Sequence, residues 1–159
     1  GKNEKGQVLD VPIIGNDDEI NKWGPEEIWL VNGIGMPAPG FSKRHACAER
    51  FRAFGFRFLA VVDPTAVISP DVIISEGVQV MAGVVGQPGT SIGKDAIVNT
   101  GARIDHDCFI GDGSHICPGA TLAGSVKVGE QSLVGSGATI IPNVRVSERS
   151  LVRAGSLML

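Results

Sequence analysis

From residue 68 onward, the chain places an aliphatic side chain at every sixth position. Fourteen of the fifteen residues in this series, which runs from Ile68 to Val152, are Ile, Leu or Val, and Gly86 is the exception. A random position is aliphatic roughly a quarter of the time, so chance does not explain the series. Two residues before each member stands a small or β-branched residue, such as Ala96 or Ala102. A period of six fits neither a helix nor a hairpin and is typical of a parallel β-helix of hexapeptide repeats.

The predicted β-helix has about five coils, because three hexapeptides form one triangular coil of about 18 residues. The aliphatic side chains would point into a narrow core, and the small residues would fill the space beside them, where an aromatic ring does not fit. The composition agrees with such a core, since the chain has 22 glycines, no tyrosine and 5% aromatic residues. Residues one coil apart should stack, so Gly124 should lie directly over His106.

Residues 1–63 follow a different pattern, in which short apolar runs alternate with helical segments. Asn16 would cap a first short helix. The run from Ile28 to Val31 predicts a buried strand, and the run from Phe56 to Ala60 predicts a second one. Between these strands we predict a longer helix that begins at a Ser42 cap.

Two strands are too few for a complete α/β sheet. We therefore interpret residues 1–63 as part of an α/β domain, whose first strand we expect to lie outside this sequence. Residues 64–159 form the predicted β-helix domain. The fold class expected from the sequence is thus an α/β N-terminal part followed by a parallel β-helix.

Charge and cysteine content exclude several classes of partner. The net charge of −3 and the pI of about 5.6 argue against nucleic acid or an anionic membrane, since both require a basic patch. No apolar run approaches the length of about 18 residues that a transmembrane helix needs, and no leader is evident, so we expect neither membrane insertion nor secretion. The cysteines, Cys47, Cys108 and Cys117, are too few for a disulfide framework and favour a reducing, cytoplasmic setting.

The densest polar departure from the repeat is Asp105-His106-Asp107. His106 follows the interior Ile104 by two positions, so its side chain should point outward or sit at a corner. A carboxylate beside an imidazole raises its pKa and fixes its tautomer, as a general base requires. A solvated histidine or a salt link between subunits explains the same residues, so the pattern alone leaves both interpretations open.

We predict no metal site. The chain has three histidines, and a zinc site on the β-helix would need all three there, whereas His45 belongs to the other domain. The second histidine of the β-helix, His115, precedes the interior Ile116 and should also point outward. Cys108 occupies an interior position, which argues against a nucleophilic role.

Several motifs together carry a family resemblance. They are Val31-Asn32-Gly33-Ile34-Gly35, Asp63-Pro64-Thr65, Asn99-Thr100-Gly101, Asp105-His106-Asp107, Ser114-His115 and Ala123-Gly124-Ser125. This series resembles the NeuD/PglD family of sugar O- and N-acyltransferases. The family joins a Rossmann-like sugar-nucleotide domain to a left-handed β-helix and forms trimers. This implies that residues 1–63 are a partial Rossmann-like domain for sugar-nucleotide binding, that residues 64–159 are a left-handed β-helix, and that the chain forms a homotrimer.

The resemblance implies an acetyl-CoA-dependent acetyltransferase, with no metal, that acts on the amino group of a nucleotide-linked 4-amino sugar in bacterial glycan biosynthesis. His106 would be the catalytic base, and a neighbouring carboxylate, Asp107 or Asp105, would orient it. His115 and the backbone of Gly124 would bind the acetyl thioester across a subunit interface. The resemblance further implies cofactor contacts from Ala123, Ser136 and Ala154, and a contact to the acceptor sugar from Asn99.

The N-terminal loop adds a second candidate site. Gly33 and Gly35 follow a buried strand, at the edge of a parallel sheet where ligands bind. Arg44 follows this loop and is the best candidate for a contact with a nucleotide diphosphate, although a solvated helix face is the favoured interpretation of the basic residues there. The family begins with a Gly-x-Gly-Gly-His-like turn that this sequence lacks, so we expect an incomplete acceptor site.

Two alternatives to amino-sugar N-acetylation stay open. One is O-acetylation of sialic acid or another sugar, and the other is a non-catalytic trimeric scaffold that binds a sugar nucleotide. The Asp-His-Asp and Ser-His pairs favour an enzyme, because a scaffold does not need them. Outward apolar residues, Val85, Ile97 and Ile141, predict that one outer face of the β-helix is buried by a partner subunit.

Overall fold

The structure, a computed structural model, describes residues 6–8, 11–36 and 43–159. The N-terminal part contains β1 (Gln7–Val8), β2 (Val11–Pro12), a 3₁₀ helix (Asp17–Lys22), β3 (Trp29–Leu30), α1 (Lys43–Ala53) and β4 (Arg57–Phe58). Strands β3 and β4 pair in parallel, and both are shorter than the apolar runs that predicted them. Asn16 caps the 3₁₀ helix by accepting a hydrogen bond from the backbone of Asp18, as predicted. The predicted Ser42 cap lies outside the described residues.

A long series of two-residue strands follows. These are β5 (Val61–Val62), β6 (Val67–Ile68), β7 (Ile73–Ile74), β8 (Gln79–Val80), β9 (Val85–Gly86), β10 (Ser91–Ile92), β11 (Ile97–Val98), β12 (Arg103–Ile104), β13 (Phe109–Ile110), β14 (His115–Ile116), β15 (Thr121–Leu122), β16 (Lys127–Val128), β17 (Leu133–Val134), β18 (Thr139–Ile140), β19 (Arg145–Val146), β20 (Leu151–Val152) and β21 (Leu157–Met158).

The strands form the three sheets of a parallel β-helix. Every third strand, counted from β5, belongs to one sheet, here called face I. In the same way, every third strand from β6 belongs to face II, and every third strand from β7 belongs to face III. Each strand pairs with the strand one coil further along, as Ile104 pairs with Leu122. We name each corner by the two faces that it joins, so residues 105–108 form a II–III corner. This register confirms the predicted coil, and it places Gly124 one coil above His106.

The β-helix has one strand before and one strand after the predicted aliphatic series. Strand β5 belongs to face I, so the repeat starts before the predicted domain boundary at residues 63 and 64. Strand β21 adds one repeat after the predicted last member, Val152.

The core consists of the predicted aliphatic series. Ile104, Ile110, Ile116 and Leu122 are each exposed by 1% or less. At the exception, Gly86, a Cβ atom would lie 3.1 Å from Cδ1 of Ile68, the residue one coil below. The larger Ile68 side chain therefore fills the space that a side chain at position 86 would take, and the core stays closely packed.

The N-terminal part packs on face I through residues 31–36, here called the 31–36 loop. Nε2 of Gln79 donates to the carbonyl of Asn32 at 2.8 Å, and the ring of His115 contacts the carbonyl of Met36. Ile97 lies between Gln79 and His115 on this face and is only 4% exposed. The prediction that Ile97 faces a partner subunit is therefore wrong, because its own chain covers it.

Within residues 6–8, 11–36 and 43–159, the helices are too short or too polar to cross a lipid bilayer.

Candidate active site

The II–III corner at residues 105–108 presents His106 to solvent. Asp107 adopts a positive φ of 56°, which turns the chain sharply and brings its carboxylate back to the preceding ring. Nδ1 of His106 lies 2.8 Å from Oδ2 of Asp107. Asp105 instead accepts a hydrogen bond at 2.8 Å from the backbone N–H of His106. Of the two candidate carboxylates, Asp107 is thus the one that contacts the ring.

This arrangement sets the state of the His106 ring. A carboxylate can only accept a hydrogen bond, so Nδ1 carries the proton that is shared with Asp107. Nε2 of the neutral ring then keeps its lone pair, and the imidazole side chain is 59% exposed. The hydrogen bond that Nδ1 donates to Asp107 and the charge of Asp105 raise the pKa of His106 above its ordinary value. The ring is therefore suited to accept a proton at Nε2.

Gly124 lies against the ring of His106, as the 18-residue register predicted. A Cβ atom at Gly124 would lie 2.6 Å from Nε2 and 2.7 Å from Cε1 of His106, so no larger residue fits there without moving the ring. Within the described chain, the N–H of Gly124 donates no hydrogen bond, whereas the neighbouring Ser125 N–H donates to the carbonyl of His106 at 2.9 Å. A proton acceptor and an unused backbone donor thus share one small surface region.

His115 lies in a second cluster, on face I. Oδ1 of Asn99 accepts from the N–H of Thr100 at 2.8 Å, so the atom of Asn99 that faces His115 is Nδ2, a donor. Nδ2 lies 3.0 Å from Nε2 of His115, which must then accept. Nδ1 consequently carries the proton and donates to the carbonyl of Met36 at 3.2 Å. Burial lowers the pKa of His115, so its ring is neutral in this tautomer.

The predicted cofactor contact of His115 stays a prediction. In the observed arrangement both ring nitrogens already have partners within the chain. A thioester could reach Nε2 only if Asn99 turned away from it.

The predicted cofactor residues divide between two sides of the β-helix. His106, Ala123 and Gly124 share the II–III corner, while Ser136 and Ala154 stack on the I–II corner beside the Asn99 cluster. In a triangular cross-section, a II–III corner lies opposite face I. One chain therefore presents His106 and His115 in opposite directions.

Arg44 does not have the predicted role of a phosphate contact. It is 3% exposed, and Nη1 donates to the carbonyls of Asn32 and Ile34 at 2.7 Å each. Nε donates to the carbonyl of Asp95 at 3.2 Å, and Nη2 lies 3.5 Å from the carbonyl of Gly77. Because the N–H groups of the guanidinium donate to these backbone carbonyls, Arg44 is not available to bind a diphosphate.

A cavity of about 320 Å³ lies at the edge of the β3–β4 sheet. Its lining is mostly apolar and includes Trp23, Phe51 and Phe58. Gly33 belongs to the lining, whereas Gly35 does not, so the structure associates only one of the two predicted glycines with this cavity.

One group of side chains has the composition of a metal site. Ligand atoms of His45, Glu49 and Asp95 lie within 4.8 Å of one another. However, Arg52 donates to both carboxylate oxygens of Asp95, at 2.6 and 2.9 Å, and also contacts Glu49 at 3.0 Å. The cation that this group holds is therefore the guanidinium of Arg52.

The contacts between the 31–36 loop and face I were not predicted from the sequence. Met36 carried no motif that connects it to His115, and Asn32 carried none that connects it to Gln79. Their contacts arise from the docking of the 31–36 loop on face I, and in each hydrogen bond one of the two partners is a backbone carbonyl. The Gly-Ile-Gly stretch was the available signal, but it suggested a phosphate loop instead.

Comparisons with known proteins give a consistent result. A family model described as bacterial transferase hexapeptide (six repeats) matches residues 107–142. PerB from Caulobacter crescentus, solved in complex with CoA and GDP-perosamine, is similar to this chain with 37% identity and a TM-score of 0.88, over 98% of this chain and 74% of that one.

Two further solved structures are similar. The GDP-perosamine N-acetyltransferase of Caulobacter crescentus, with one histidine replaced by alanine, is 37% identical with a TM-score of 0.88, over 96% of this chain and 71% of that one. The acetyltransferase domain of PglB from Neisseria gonorrhoeae FA1090, in complex with acetyl coenzyme A, is 33% identical with a TM-score of 0.90, over 100% of this chain and 76% of that one.

Proposed function

The chain belongs to the NeuD/PglD-like family of hexapeptide-repeat sugar N-acetyltransferases, and from this premise we propose that it transfers acetyl from acetyl-CoA to the amino group of a nucleotide-linked 4-amino sugar. The observation that carries the proposal is the His106 corner. It combines an exposed imidazole, a carboxylate on Nδ1 and a bare glycine beside Nε2.

The geometry supports a direct transfer. A sugar amine is mostly protonated at neutral pH and attacks only after it loses a proton. Neutral His106 accepts a proton at Nε2 as the amine nitrogen attacks the thioester carbonyl, and Asp107 stabilises the imidazolium that forms. Carbon–sulfur cleavage then expels the CoA sulfur, which takes the proton from Nε2 of the imidazolium and leaves as the thiol, so that His106 returns to its neutral form. Because the thioester is already activated, no covalent intermediate on the protein is needed.

The backbone at Gly124 is suited to the developing negative charge. Its N–H has no acceptor among the described residues, and such a preorganised donor stabilises a tetrahedral oxyanion. The missing Cβ allows the thioester to approach both this N–H and Nε2 of His106. These residues fit acetyl-CoA as a substrate, and the transfer requires no metal.

We also propose a homotrimer as the active form. His106 and His115 point to opposite sides of one β-helix, so a complete site needs the corner of one copy against face I of the next. Val85 and Ile141 stay predicted interface residues, since both are only half-buried in the single chain. The use of acetyl-CoA, together with the reduced cysteines expected from the sequence, favours a cytoplasmic location.

Thioester turnover tests the function. The protein is mixed with acetyl-CoA and a panel of UDP-, GDP- and dTDP-linked 4-amino sugars plus sialic acid, and release of free thiol is followed. We expect release with an amino sugar and its loss in His106→Ala. Release with sialic acid alone would move the assignment to O-acetylation, and absence of both turnover and acetyl-CoA binding would favour a scaffold.

A further inference from the structure

Arg44 is a buried charge that no carboxylate contacts within the described chain. The nearby carboxylate of Asp95 accepts from Arg52 instead, so Arg44 interacts with the backbone carbonyl of that residue. Burial lowers the pKa of Arg44, which shows that this environment opposes its charge. A buried cation of this kind is costly unless hydrogen bonds compensate it. If the side chain of residue 44 only filled space in the interior, an apolar residue would be more favourable there than a buried arginine.

The four carbonyls that surround the guanidinium come from two parts of the fold. Those of Asn32 and Ile34 belong to the 31–36 loop, and those of Gly77 and Asp95 belong to III–I corners of the β-helix. Arg44 therefore connects the loop to the β-helix through one planar group. A lysine ammonium is a point donor and cannot span all four positions.

The side chain of Asn32 reinforces the same arrangement. Its Nδ2 donates to the carbonyl of Arg44 at 2.9 Å, and its Oδ1 accepts from the N–H of Ile34 at 3.0 Å. Asn32 is 5% exposed, so these bonds are shielded from water. Hydrogen bonds thus hold the loop at Asn32 and at Ile34, just before it reaches Met36.

We propose that Arg44 is a positioning residue of the active site, which holds the 31–36 loop on face I so that the Met36 carbonyl fixes the ring of His115. Through the bond between Nε2 of His115 and Nδ2 of Asn99, the same arrangement sets the orientation of the Asn99 amide. Only the kinetic consequence rests on the proposed function; the structural consequence is measurable without any substrate.

The first experiment is ring ¹⁵N NMR of the full chain labelled at histidine, which contains only three such residues. In the parent protein, we expect a neutral His115 ring with its proton on Nδ1. In Arg44→Lys the charge remains but the carbonyl contacts are lost. The ring signals of His115 should then move toward those of a free histidine, while the signals of His106 stay in place.

Two further variants control this result. Arg50→Lys changes an exposed arginine on the same helix, which pairs with Asp17, and should leave the His115 signals unchanged. Gln79→Met removes the hydrogen bond that the β-helix donates to the carbonyl of Asn32. It should move the His115 signals toward those of a free histidine, but by a smaller amount than Arg44→Lys does. Circular dichroism monitors folding, and Gln79→Met decides the question if Arg44→Lys does not fold.

Unchanged His115 signals in a folded Arg44→Lys protein would overturn the proposal. Kinetics provide the second readout: we expect kcat/KM to fall by about 10-fold to 100-fold, as misplacement of a binding group does, with the acid limb of the pH profile unchanged. Absence of turnover in the parent protein would contradict the proposed function alone, because the NMR result does not depend on activity.

Discussion

The two histidines of the β-helix occupy opposite environments. His106 sits at an exposed corner with a carboxylate on Nδ1, and its pKa is raised. His115 sits under the 31–36 loop between an amide and a carbonyl, and burial lowers its pKa. The imidazole of His106 is thus suited to accept a proton, whereas that of His115 stays neutral in a fixed orientation. Charge partners and burial, rather than residue type, distinguish a base from a positioning group.

Removal of the exposed imidazole should have the largest effect. In His106→Ala we expect turnover to fall by about 10²-fold to 10⁴-fold, the usual contribution of a general base. Binding of acetyl-CoA should change little, because the backbone at Gly124 remains. Thiol release and calorimetric titration measure the two quantities, and His45→Gln, on helix α1, is the matched control. Full activity in His106→Ala would show that the corner is not catalytic.

The contact between the ring and Gly124 can be tested by adding one methyl group. In Gly124→Ala, the Cβ would overlap Nε2 of His106, so the ring must turn, and we expect turnover to fall by about 10²-fold. The same substitution in the His106→Ala background should cost almost nothing further. Equal losses in both backgrounds would mean that Gly124 acts independently of the ring.

Asp107→Asn should separate the pKa effect from the orientation effect. The base acts when it is deprotonated, so activity is lost as the pH falls through the pKa of His106. Because Asp107 raises that pKa, its removal should move the acid limb of kcat/KM to lower pH. The plateau should fall by about 10-fold, since the tautomer is no longer fixed. Asp105→Asn removes only the charge and keeps an amide oxygen for the backbone N–H of His106. It is the control and should shift the limb less, because the hydrogen bond to Asp107 is the larger cause of the raised pKa of His106.

The smallest expected effect is the difference between the pKa values of His106 and His115, which is measured in the parent protein without a substitution. When the parent protein is titrated and its histidine rings are followed by NMR, His106 should gain its proton at a higher pH than His115. Assignment uses the His106→Ala protein, which lacks one of the signals. If the order of the two midpoints were reversed, the contrast between the two environments would not hold in solution.

The sequence predicted the stacking of the active-site corner because the repeat has a strict period. Once the interior series is recognised, Gly124 follows from His106 by addition of one coil. The choice between Asp105 and Asp107 did not follow, since it depends on the positive φ of Asp107, and φ is not encoded in residue spacing. A flat strand would have directed both carboxylates away from the ring.

The N-terminal part was less predictable for a related reason. The carbonyls that surround Arg44 belong to residues that are distant in sequence, and every residue has a carbonyl, so composition holds no signal for them. The covering of Ile97 by the 31–36 loop escaped prediction in the same way. Contacts between side chains and a packed backbone become visible only when the two parts of the fold are placed together.

The hydrogen bonds of the II–III corner have an evolutionary consequence. The carbonyl of His106 accepts from Ser125, and that of Gly124 accepts from Asn143, so the proposed catalytic turn is held by the coils stacked next to it. None of these bonds involves the N-terminal part. Substitutions in the N-terminal part that change the proposed acceptor contacts therefore leave these hydrogen bonds intact, so acceptor preference can diverge without altering the proposed transfer step.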